Sequence, residues 1–80
     1  MTIADRAPNE TKLTDYDRTQ AKVYLRLLDA EASGAAWEDV ARRLLGVDPT
    51  RDRDAARLRY ETHLARARWL RDGGYAEFLK

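Results

Sequence analysis

Apolar residues recur at helical spacing in three stretches of this chain, and no segment alternates apolar with polar residues for long enough to make a convincing strand. In the first stretch Val23, Tyr24, Leu27 and Leu28 form a stripe that Ala21, Leu25 and Ala32 widen, a breadth expected of a helix buried on two sides. Thr14 offers an N-cap, and Asp17 three residues later makes an Asp variant of the capping box. Asp15 and Asp17 also suit the positive end of the helix dipole. Gly34 stands where a left-handed stop is needed. The first helix is therefore expected over Asp15–Ser33.

The second stretch has the sharpest period. Trp37, Val40, Ala41, Leu44 and Leu45 fall at i, i+3, i+4, i+7 and i+8, and Gly46 ends the run. Glu38 and Asp39 lie in its first turn, Arg42 and Arg43 near its end, each on the side the dipole favours. So short a helix, Trp37–Leu45, forms only against its neighbours. Residues 46–53 read as a long turn, because Pro49 disfavours helical geometry at Asp48; Thr50, Asp52 and Asp54 are the candidate caps beyond it. The third helix is expected over Arg53–Arg71. Leu58, Ala65 and Trp69 make one stripe, with Tyr60, Leu64 and Ala67 beside it, and Arg57, Arg59, Arg66, Arg68 and Arg71 are interleaved. Gly73-Gly74 breaks it, and Tyr75, Phe78 and Leu79 form an apolar tail expected to make a last helical turn against the core. Residues 1–13 are polar, contain Pro8 and show no period, so they read as a flexible arm. The expectation is an all-α domain over residues 14–80: three helices in a helix-turn-helix variant with an extended turn and a short helical tail.

Composition narrows the function classes. Eighty residues without a cysteine exclude disulfide and thiolate–metal staples and fit a reducing cytoplasm. No apolar run approaches the roughly 20 residues of a membrane span. The net charge of +1 hides an asymmetry: residues 1–50 carry seven Lys/Arg against nine Asp/Glu, and residues 51–80 carry eight against five. The basic excess that phosphate contact requires is therefore slight and confined to the last third. One histidine, His63, stands in a charged helix, where a surface or half-buried position is the first expectation. No metal-ligand spacing, nucleophile elbow or phosphate loop is present, so no enzyme activity, cofactor, metal or small-molecule ligand is expected. Trp37 and Trp69 lie on apolar stripes and are expected in the core. Tyr24, Tyr60, Tyr75 and Phe78 cannot all fit a core this small, and exposed aromatics anchor protein interfaces.

Two helices joined by a turn and braced by a third give the helix-turn-helix layout, which a generic three-helix bundle shares. A closer resemblance lies in Leu25-Arg26-Leu27-Leu28-Asp29, Gly34 to Ala41, Leu44-Leu45-Gly46, Leu58-Arg59, Arg66 to Tyr75 and Phe78-Leu79. In these residues the chain resembles the RovC-type DNA-binding domain family of proteobacteria and their mobile elements. The resemblance implies an extended-turn helix-turn-helix fold, which accounts for the long 46–53 loop. It implies one of two functions. Some members are activators that carry this domain behind a separate N-terminal domain and bind DNA with it. Others are stand-alone, QseM-like antiactivators of integrative and conjugative elements, which bind activators and block them.

The thirteen residues ahead of the first helix leave no place for an N-terminal domain, which favours the second kind. DNA-binding members tend to have Ser at the cap of the second helix and a basic residue soon after. Ala36, Glu38 and Asp39 stand there in this chain, and carboxylates at a helix start repel phosphate. The expectation is a cytoplasmic antiactivator that captures the N-terminal domain of a transcriptional activator, or a quorum-sensing regulator, and so controls conjugative transfer, with Tyr24, Tyr60 and Tyr75 as anchors and DNA binding weak or absent. The alternative is a small DNA-binding factor that reads DNA with the third helix through Arg51, Arg53, Arg57 and Arg59.

Overall fold

A computed structural model describes residues 3–73 of the chain, and the tail expected at Tyr75, Phe78 and Leu79 lies outside them. Four helices follow one another: α1 (Asp15–Thr19), α2 (Ala21–Ala32), α3 (Trp37–Leu45) and α4 (Arg53–Asp72). The described residues contain no strand, and the fold is all-α as expected. α4 is the spine, packing against both α2 and α3, which also touch each other.

The caps fall where local chemistry puts them. The Thr14 hydroxyl accepts from the Asp17 N–H while the Asp17 carboxylate accepts from the Thr14 N–H, a reciprocal box at the start of α1. Asp52, of the three candidates, caps α4 by accepting from the Ala55 N–H at 3.0 Å. Gly46 ends α3 with φ 63°, a left-handed conformation that a Cβ would strain, and the N–H groups of Gly46 and Val47 return to the Ala41 carbonyl. α3 starts at Ala36 with no side-chain cap.

Several expectations are corrected. The single helix over Asp15–Ser33 is instead two, because Gln20 leaves helical geometry at φ −97°, ψ 13°. The hydrogen bonds from Gln20 N–H to Tyr16 O and from Tyr24 N–H to Gln20 O persist, so backbone bonding continues across the break. Asp17 and Gln20, both polar, are buried beside this break.

The buried stripe of α4 is also rotated from the expected one. Leu58 and Trp69 are half-buried and Ala65 is exposed, whereas Ala56, His63, Leu64, Arg66, Ala67 and Leu70 face inward. Apolar content alone could not select this face, since two of its six residues are polar and depend on partners distant in sequence. The remaining core is Tyr24 and Leu27 from α2 and Val40, Ala41 and Leu45 from α3. Burial of Leu27 and Leu45 contributes about 2 kcal/mol each.

The segment read as a flexible arm lies along α1 and α4 and is tied down at several points. Ala4 N–H donates to the Tyr16 hydroxyl, Ala7 N–H to the Thr62 hydroxyl, and the Arg66 guanidinium to the carbonyls of Glu10 and Lys12. Ile3 and Leu13 pack against the core beneath it.

Candidate nucleic-acid interface

The amino-terminal half of α4 gathers the cationic residues proposed from sequence, and α3 supplies the surface they rest on. Arg51 is exposed in the extended turn and makes no ion pair among the described residues. Arg53 and Arg57, one helical turn apart, hold their guanidinium groups 5.0 and 4.8 Å from the centre of the Trp37 ring. Arg57 also lies 5.7 Å from the Tyr60 ring, and the Trp37 and Tyr60 rings are 5.8 Å apart at 45°. Trp37 is thus half-buried under a cationic cover, and not in the centre of the core as its stripe suggested. A guanidinium over an indole ring gains a cation–π attraction while its planar fork of donors can still contact phosphate or guanine.

Carboxylates flank the strip. Arg53 pairs with Glu38 at 3.3 Å and Arg57 with Glu61 at 2.7 Å. The Glu38 carboxyl is held below its ordinary range by its own backbone N–H at the start of α3 and by Arg53. Arg42, on the last turns of α3, lies 3.5 Å from Asp39 and 3.7 Å from Asp48. These pairs lie at the surface, where an ion pair is weak and exchanges partners readily.

Arg59, the fourth arginine of the proposed set, has a different role. Its side chain is 19% exposed; one terminal nitrogen donates to the Leu45 carbonyl at 3.1 Å, closing the end of α3. The other meets Asp5 of the amino-terminal segment at 2.7 Å. It clamps α3, α4 and that segment together instead of facing a ligand.

Of the three proposed aromatic anchors, Tyr60 is half-buried against Trp37 and Arg57, and Tyr75 lies outside the described residues. Tyr24 is corrected from a surface anchor to a core residue. It is 2% exposed, and its hydroxyl donates to Asp17 at 2.9 Å. Burial and the adjacent Asp17 carboxylate push its own ionisation far above the usual tyrosine value.

Sequence reasoning missed the network to which Tyr24 belongs. Arg66 donates to both Asp17 oxygens, at 3.0 and 2.7 Å, and its guanidinium lies 4.0 Å from the Trp69 ring. Burial alone would raise the Asp17 carboxyl, but the Arg66, Thr14 and Tyr24 hydrogen bonds outweigh it and hold the group below its usual range. Beside this network His63 is fully buried, not the surface residue its charged helix suggested. Its Nδ1 donates to the Arg59 carbonyl at 2.7 Å, which leaves Nε2 to accept from the Tyr16 hydroxyl at 2.6 Å. Burial, ahead of any charge, lowers its pKa.

Residues 2–80 match the family model of the RovC-type DNA-binding domain, described as "T6SS, Transcription factor, DNA binding domain". No curated protein matches the chain. Among the described residues no helix is long and apolar enough to cross a membrane.

Proposed function

Because this chain belongs to the RovC-type family of transcription-factor DNA-binding domains, we propose that it regulates transcription in the cytoplasm by binding a DNA duplex along the amino-terminal half of α4. It acts by recognition, without a catalytic step or cofactor. The observation that carries this reading is the strip Arg51, Arg53 and Arg57, two of whose guanidinium groups lie 5.0 and 4.8 Å from the Trp37 ring centre. Phosphate can displace Glu38 and Glu61 from these arginines, since the exposed pairs it would replace are weak. The experiment is a gel shift with a mixed-sequence duplex at low ionic strength, repeated with Arg57→Ala. A retarded band that the substitution weakens supports the reading. Absence of any shift refutes it.

A second reading is favoured by the carboxylates that flank the strip. Glu38 and Asp39 occupy the first turn of an α3 that lacks a hydroxyl cap, where a DNA-contacting helix start would face phosphate. On this reading the chain is an antiactivator that holds a transcriptional activator through its N-terminal domain, or a quorum-sensing regulator, and restrains transfer of a mobile element. Tyr60 and Trp37 then form the apolar centre of a protein interface with a charged rim. Co-purification with the isolated N-terminal domain of an activator, alongside a blank gel shift, would select this reading over DNA binding.

A further inference from the structure

α2 meets the carboxyl-terminal half of α4, away from the arginines at its start, and leaves an apolar side chain in solvent there. Leu25 is 63% exposed, the large hydrophobic side chain left in solvent among the described residues. It borders a groove of about 430 Å³ between α2 and the carboxyl-terminal half of α4, lined also by Ala21, Leu28, Ala67, Leu70 and Arg71. Two opposite charges flank it on the same helix face. Lys22 precedes Leu25 by three residues and Asp29 follows by four; both are exposed, and neither makes an ion pair among the described residues. They cannot pair with each other, being seven residues, or roughly 10 Å, apart along the axis.

We infer that this face is a self-complementary docking surface for a second copy of the chain, two α2 helices crossing antiparallel about a two-fold axis near Leu25. At about 1.5 Å per residue, Lys22 lies roughly 4.5 Å to one side of Leu25 and Asp29 roughly 6 Å to the other. A two-fold axis at Leu25 therefore brings Lys22 of each copy level with Asp29 of the other, to within about 1.5 Å along the axis. The same operation sets each Leu25 against Leu25 of the opposite copy, joining the mouths of the two grooves they line. The surface is isologous: Lys22 and Asp29 find their complements across the axis and the two Leu25 side chains cover each other, the requirement of a closed dimer. The residues of this surface do not include Arg51, Arg53 or Arg57, so dimerisation and DNA binding can be lost separately.

A charge-swap series on the full chain, followed by sedimentation equilibrium across micromolar to millimolar concentration, tests this. Wild type should dimerise reversibly. Lys22→Asp and Asp29→Lys should each weaken the dimer by roughly tenfold or more, because each sets like charges opposite one another. The double variant K22D/D29K should restore it, a rescue that a merely structural role for these exposed residues would not give. Leu25→Asp should be monomeric with an unchanged helical circular-dichroism spectrum. A wild type monomeric throughout would overturn the proposal. So would a double variant no better than the singles, or nuclear Overhauser contacts from Leu25 methyls to the Tyr75 or Phe78 rings in a monomer. That last result would assign the groove to the chain's own carboxyl terminus.

Discussion

α4 carries arginines in two environments, and the same side chain has opposite meanings in them. At its start Arg53 and Arg57 are exposed, set against the Trp37 ring and paired with single carboxylates they can exchange for phosphate. Three turns on, Arg66 is buried, and its donors are committed to both oxygens of Asp17 and to two backbone carbonyls of the amino-terminal segment. Exposure is what separates an arginine free to bind from one that holds the fold. Arg59, between them in sequence, falls on the structural side because its donors close α3 and grip Asp5.

The comparison breaks most visibly at Arg66. Arg66→Met leaves the Asp17 carboxylate buried without its cation, and the domain should lose about 3–5 kcal/mol in urea unfolding. Against a total stability of roughly 5–15 kcal/mol for a small domain, that is a large fraction. Arg57→Ala should instead change stability by no more than about 0.5 kcal/mol and act on DNA binding. A substitution at Arg66 without a stability loss would show that the buried network is dispensable.

His63 gives a smaller effect that sharpens the same division. Its folded pKa lies below the unfolded value of 6.5, so the unfolded chain takes up a proton first as pH falls. Stability should be complete above about pH 6.5 and decline as pH drops below it, levelling once the folded protein also protonates. His63→Gln should flatten the dependence between pH 7 and 5 in thermal melts. Asp17, whose folded pKa is lowered, adds a separate loss as pH falls through and below the ordinary carboxylate range. The smallest expected change is at Glu61. Glu61→Gln frees Arg57, and DNA affinity should rise by roughly two- to fivefold, within the 0–1 kcal/mol of an exposed pair; fluorescence anisotropy resolves such a step.

Much of the local structure was legible in the sequence. The Thr14–Asp17 box, the Gly46 stop and a cap at Asp52 are decided by residues within a few positions of one another. The break at Gln20 was not legible, and neither was the buried face of α4, whose Arg66 turns inward to meet Asp17 across 49 residues. Asp17 looks complete as a cap, although a carboxylate has a second oxygen to place. The strip was legible as a run of arginines, but its division into Arg53 and Arg57 on one side and Arg59 on the other was not. That division depends on where the Leu45 carbonyl and Asp5 come to lie.

The most direct test of the α4 strip is the salt dependence of duplex binding, measured by anisotropy for the wild type and for Arg53→Ala/Arg57→Ala. Each lost phosphate contact should reduce the slope of log K against log salt by about 0.9, so the double variant should fall by nearly two with its fold intact. An unchanged slope, or a wild type that binds no DNA even at low salt, would contradict the account.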